Sequence, residues 1–179
     1  MAEKIDVNEL GRSIDPATLS NDELISALRD ALATPEGARE VDPSLFARLV
    51  KSAGRGQLEA VMGADVRRSV LDAIFGRMSE FYSSKGASSK RQVVHWHITG
   101  APGGGSDDYQ TTMQHGRCDV GTTLDEEPRT ELFMDGVQFL KIVTNNASPI
   151  TLFMTRKLKV SGDIGFATAL QKMFTIPSA

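Results

Sequence analysis

The chain has 179 residues, with 20 lysines and arginines against 23 aspartates and glutamates, a net charge of −3 and 40% hydrophobic residues. That length buries a core without disulfides or metals, and the near balance of charge leaves no electrostatic footprint for nucleic acid. The single cysteine, Cys118, excludes an intrachain disulfide and suits a reducing compartment. The first ten residues lack the apolar core of a signal peptide, and no window approaches the roughly 20 apolar residues of a membrane span. A cytoplasmic location is expected. Acidity is concentrated at the front: residues 1–60 hold 7 basic and 11 acidic groups, residues 61–179 hold 13 and 12.

Residues 1–19 are polar without a sustained period and are expected to be mobile. From Ser20 the pattern becomes helical. Ser20 and Glu23 form a capping box, followed by Leu24, Ile25, Leu28 and Leu32 at helical spacing. Asp42-Pro43 opens a second helix, with Leu45, Phe46, Leu49 and Val50 as its stripe, and GRGQ at 54–57 ends it. Val66, Val70, Leu71, Ile74, Phe75, Met78, Phe81 and Tyr82 recur every three or four residues, which predicts one helix over 64–83. SSKGASSKR then reads as a linker.

Beyond the linker the period changes to two. Val94, Trp96 and Ile98 alternate with His95 and His97, a strand with the apolar set toward the core. A second strand spans 109–114, His115-Gly116 is the hairpin turn, and a third strand spans 117–124. A fourth covers 129–134. Asp135 caps a helix bearing Val137, Phe139, Leu140 and Val143, which Asn145 and Asn146 end. Pro149 opens a turn with Leu152, Phe153 and Met154. A fifth strand spans 157–160, and Asp163 caps a last helix. The order predicts an α+β fold, a mostly antiparallel five-stranded sheet with helices packed on one face. Residues 1–60 form an acidic helical extension and residues 61–179 the main domain.

Three motifs invite chemistry. His95-x-His97 offers two metal ligands from one strand face, but zinc needs a third and usually a fourth. His115 lies on the turn, which leaves Cys118 and Asp119 as completers of a metal-dependent site. The competing reading is two polar residues on the solvent face, and the ligand count favours it. GAPGGGSDD has neither G-x-G-x-x-G spacing nor a following lysine-serine pair, and its aspartates would repel phosphate. Cys118 on a strand reads as core. No catalytic residue, cofactor or metal is assigned.

The stretch FLKIVTNNASPITLFMTRKLKVSGDIGFATALQKMF, with Ser148-Pro149, Phe153-Met154, Lys157-Leu158-Lys159-Val160, Gly162 and Gly165 in order, resembles the C-terminal half of the sterol carrier protein two family. The likeness extends over roughly residues 64–177. Two positions depart from the family pattern: Asn145 and Arg156 stand where glycine is usual. The resemblance implies an apolar tunnel between sheet and helices that binds sterols, fatty acids, acyl-CoA or phospholipids without covalent chemistry. It assigns ligand contact to Trp96, Ile98, Met113, Leu132, Met134, Phe139, Leu140, Val143, Phe153, Met154, Leu158, Val160, Ile164, Phe166, Leu170, Met173 and Phe174. Arg156 and Lys157, beside that tunnel, are head-group candidates and could meet an anionic membrane surface. Two further roles are considered: an accessory to a lipid-metabolising enzyme, with residues 1–60 docking a protein partner or a second copy, and a metal enzyme using His95, His97 and Cys118.

Overall fold

Side-chain caps start most of the helices in the computed structural model, which describes residues 5–85 and 88–179. Asp6 accepts the Asn8 N–H at the head of α1 (Val7–Arg12), and the Ser20–Glu23 capping box opens α2 (Asn21–Ala31). Thr34 caps α3 (Pro35–Glu40) and Asp42 caps α4 (Pro43–Ser52), each with proline in the first turn. α5 (Arg55–Gly63), α6 (Arg67–Gly76) and α7 (Met78–Phe81) complete the helical half.

Three sequence expectations change here. The described part of 1–19 is packed, because Val7 and Leu10 of α1 are buried. Two apolar residues one turn apart are too few to read as a period. α1 docks closely on α4: a Cβ at Gly11 would lie 2.2 Å from the Leu45 carbonyl oxygen. The single helix expected over 64–83 is two helices, divided where Gly76, a poor helix former, meets Arg77. The break at 54–57 is confined to Gly54, since Arg55 already begins α5.

The sheet has the order β3-β2-β1-β4-β5. β1 (Gln92–Thr99) pairs antiparallel with β2 (Ser106–Gln114), and β2 with β3 (Arg117–Gly121). β4 (Thr130–Asp135) runs parallel to β1. Two further helices, α8 (Gly136–Val143) and α9 (Pro149–Met154), lead to β5 (Lys159–Gly162), antiparallel to β4. α10 (Ile164–Leu170) follows under an Asp163 cap. His115 (φ 51°) and Gly116 (φ 76°) make the predicted two-residue hairpin, whose mirror-image turn needs positive φ at both positions. β3 ends at Gly121, before the predicted limit, and β5 begins two residues later than expected, at Lys159.

Alternation along the strands sends Trp96, Ile98, Leu132 and Met134 into the core beneath Phe75 and Phe139, whose rings lie 5.0 Å apart and nearly parallel. A second cluster joins Leu10, Leu24, Leu28 and Leu49 to Val70, Val137 and Leu140, so the acidic extension packs on α6 and α8. One buried cation ties the halves together. Arg67, 3% exposed, donates to the carbonyls of Met62, Ile98, Thr99 and Gly100 and pairs with Asp107 at 2.8 Å. The glycine loop is therefore anchored at both ends by this guanidinium, and Asp107 has a structural partner.

Candidate functional site

The inward faces of β1, β4 and β5 present Trp96, Leu132, Met134 and Val160 to a cavity of about 200 Å³. Trp96 donates its indole N–H to Thr111 Oγ1 at 3.0 Å, which satisfies its one polar atom. Ile74, Met78 and Phe81 form a second wall from α6 and α7. Val143, Phe153, Leu158, Ile164, Ala167, Leu170 and Phe174 form the far wall. Leu28, Leu32, Ala38, Val41 and Phe46 close it from the N-terminal extension. Besides the Trp96 indole, the side-chain polar groups among the described lining residues belong to Arg77, Thr144, Thr168 and Gln171. Thr144 and Thr168 are already engaged as donors to backbone carbonyls within their own helical segments. Arg77 holds Glu80 at 3.2 Å and the Val41 carbonyl at 2.7 Å. Ile150, Phe153 and Ile164 line the cavity yet are 57%, 39% and 49% exposed, which marks its open rim.

Ten of the predicted contact residues meet at this cavity: Trp96, Leu132, Met134, Val143, Phe153, Leu158, Val160, Ile164, Leu170 and Phe174. Ile98, Met113, Phe139 and Phe166 lie instead in the packed core, and Leu140 in the second cluster. Met173 packs half-buried against the first cluster, and Met154 points to solvent, 77% exposed. Arg156 and Lys157 are exposed and do not line the cavity. Arg156, at a position where the family usually has glycine, has φ 61°, in the left-handed region that favours glycine. Sequence reading missed the contribution of α2 to α4 and of Arg77. The stripes of Leu28, Leu32 and Phe46 were legible, but a stripe does not say which surface it covers.

The residues proposed for metal chemistry separate. Cys118 is buried on the inward face among the core side chains, and burial pushes its thiol up to about 12, so it is no ready thiolate. His95 and His97 occupy the opposite face of the sheet. The expectation of a solvent face fails for His95, which is 6% exposed, because the segment after β3 folds over it: the Gln110 side chain that contacts His95 is held by Asp125 and by the Glu126 N–H.

A five-stranded mixed sheet, helices on one face and an apolar cavity between the layers make up an α+β scaffold. The sequence profile of the SCP-2 sterol transfer family matches residues 73–175. That is more than half of the chain, and the chain belongs to this family. It is 26% identical over 109 residues to hydroxysteroid dehydrogenase-like protein 2 of Xenopus tropicalis, covering 59% of this chain and 25% of that protein. It is 28% identical over 81 residues to sterol carrier protein 2 of Gallus gallus, covering 45% of this chain and 15% of that protein. The chain thus matches a quarter or less of the length of these curated relatives. Among solved structures, the stereoselective inverting sec-alkylsulfatase from Pseudomonas sp. is similar in fold, with a TM-score of 0.50 at 12% identity over 96% of this chain and 33% of that one. No helix among the described residues is long and apolar enough to cross a membrane.

Proposed function

We propose that this protein binds the apolar body of a lipid, a fatty acyl chain or a sterol, between sheet and helices and transfers it without covalent chemistry. The observation that carries the reading is the cavity itself, walled almost throughout by aliphatic and aromatic side chains in a family described by sterol transfer. Each methylene moved from water into such walls contributes about 0.8 kcal/mol, so chain length supplies affinity without a specific motif. At about 200 Å³ the cavity is below the roughly 300–1,000 Å³ of ligand pockets. A full-length chain therefore requires the walls to move apart or part of the chain to extend through the open rim at Ile150, Phe153 and Ile164. Arg77, the one cation among the described residues of the lining, takes the head-group role in preference to Arg156 and Lys157.

The rim supplies a delivery surface. Ile150, Phe153, Met154 and Ile164 are exposed apolar residues, and Arg156 and Lys157 follow Met154 directly. Such a pairing suits transient contact with an anionic bilayer. Module-like use beside an enzyme has support from the greater length of the curated relatives. Docking of a partner on the apolar stripes of residues 1–60 has less, because Leu24, Leu28, Leu49 and Val50 are buried within the chain itself. A fluorescent fatty acid added to delipidated protein tests the reading. Saturable uptake at micromolar concentration, displaced by unlabelled fatty acid or sterol, supports it; no uptake by folded protein refutes it.

A further inference from the structure

The outer face of the sheet, remote from the apolar cavity, holds a three-ligand cluster. The register places Gln110, His95 and Glu131 in one row across β2, β1 and β4, and Asp108, His97 and Phe133 in the next. One ligand atom each from His95, His97 and Glu131 falls within a common span of 4.8 Å. His97 Nε2 lies 3.3 Å and His95 Nδ1 3.8 Å from the same Glu131 Oε1.

The far ring nitrogens decide what this arrangement wants. His97 Nδ1 is 2.8 Å from Asp108 Oδ1. An ionised carboxylate only accepts, so Nδ1 carries the hydrogen. His95 Nε2 is 3.1 Å from Gln110 Oε1. That amide is oriented by donating to Asp125 and by accepting the Glu126 N–H, so Nε2 carries the hydrogen on His95. In the neutral rings, His95 Nδ1 and His97 Nε2 are then bare lone pairs, 3.8 Å and 3.3 Å from the same carboxylate oxygen. With both rings neutral, three acceptors converge with no donor among them; a proton on His97 Nε2 would instead be donated to Glu131 Oε1 at 3.3 Å.

A cation resolves that conflict. Ligands at the 2.0–2.1 Å typical of zinc lie about 3.3 Å apart at tetrahedral angles. His97 and Glu131 already have that spacing, the His95–Glu131 side must close by about half an ångström, and the two histidine nitrogens, within 4.8 Å of each other, must draw together on binding. Glu131, with a third of its side chain exposed, is free to make it. The supporting groups follow the pattern of a metal site, in which each ligating histidine donates its other N–H to a carboxylate or carbonyl oxygen. Phe133 stacks on His97 with ring centroids 4.4 Å apart and fixes its plane. Asp108, Asp125 and Glu131 bring three carboxylates to the surroundings; the cations nearby are Lys159, whose ammonium lies 5.8 Å from the Phe133 ring centroid, and Arg91, which pairs with Glu126.

We propose that His95, His97 and Glu131 bind one divalent transition-metal ion, Zn²⁺ by ligand chemistry, with the fourth position open toward solvent beside Glu131. The ion joins β1 to β4, the parallel pair whose opposite face bears Trp96 and Leu132. Its binding therefore stabilises the strands that form the cavity floor, although the site stands independently of what the cavity holds.

The test is calorimetric titration of ZnCl₂ into the untagged full chain after chelator treatment. One ion per chain binds with a dissociation constant of micromolar or tighter, and the melting temperature rises by several degrees. Glu131→Gln, a near-isosteric change at a partly exposed position, weakens binding at least tenfold, as does His97→Gln. Asp108→Asn weakens it by roughly 10- to 100-fold, whereas His115→Gln on the hairpin turn leaves it unchanged. Failure to bind at 100-fold excess over about 1 μM protein, an affinity indifferent to Glu131→Gln, or loss of binding in His115→Gln would each overturn the assignment. In the first of these cases a shared proton, and no metal, occupies the cluster.

Discussion

Ala167 offers a direct way to test whether the cavity is the binding site. It sits on α10 between Ile164 and Leu170, all three on the cavity lining, and packs half-buried against the core. Ala167→Phe extends a phenyl ring into a space of about 200 Å³. The ring takes the room of about three methylenes of ligand, and at about 0.8 kcal/mol each the loss is about 2.4 kcal/mol, or roughly 50-fold in Kd. Because the ring fills existing space, the folded state should change by less than about 1 kcal/mol, where overpacking a dense core would cost about 1–3. The assay is displacement of a fluorescent fatty acid, run with a urea unfolding curve on the same preparation. A folded Ala167→Phe protein that binds within twofold of the parent would refute the placement of the ligand here.

Other expectations follow from single contacts. Arg67→Met removes the buried guanidinium from four carbonyls and Asp107 and should lower stability by about 3–5 kcal/mol in urea unfolding; a loss under 1 kcal/mol would show that water replaces it. Asp135→Ala removes the cap that accepts the Gln138 N–H at the head of α8 and should cost about 1 kcal/mol, with a matching fall in the denaturation midpoint. Arg156→Gly relieves the positive φ and should raise the midpoint by the equivalent of about 0.5–1 kcal/mol. The carboxyls of Asp163, Glu126, Glu23 and Asp65 are held below their ordinary values: by the Phe166 N–H and then Arg129, by Arg91, by the Ser20 N–H and hydroxyl, and by Arg29. Depressed carboxyls stabilise the fold above the ordinary carboxylate range of about 4, and that stability is lost as pH falls through the folded-state values. Unfolding midpoints should therefore decline below pH of about 4, less steeply in Asp163→Asn; a flat profile would contradict the pairing.

Where one short stretch holds all the information, sequence and structure agree. The Ser20–Glu23 box, the caps at Asp42, Asp135 and Asp163, the His115-Gly116 turn and the left-handed Asn145 depend on neighbours within a few residues. The period-two run at Val94, Trp96 and Ile98 likewise identified the inward face of β1. Features that depend on distant partners were out of reach. α1 contributes only Val7 and Leu10 to the core, and its helical state makes sense once α4 is seen against Gly11. His95 is buried by a segment some 30 residues further along the chain, so alternation alone misassigned it to solvent. Glu131 became its neighbour through the parallel β1–β4 pairing, a crossover no local pattern announces. The cavity was half legible for the same reason. Its sheet and C-terminal walls lie in a dense apolar run, while the cover from α2 to α4 is a tertiary choice between equivalent amphipathic faces.

Whether the cavity carries a lipid can be read from native mass spectrometry of the freshly purified protein, with denaturing extraction and lipid identification on the same sample. A lipid-sized mass increment that is lost on denaturation is expected, with an extracted fatty acid, sterol or acyl lipid to match. A bare-chain mass that stays unchanged after incubation with excess fatty acid and with excess sterol would contradict it, and the cavity would then be a packing void with no ligand of its own.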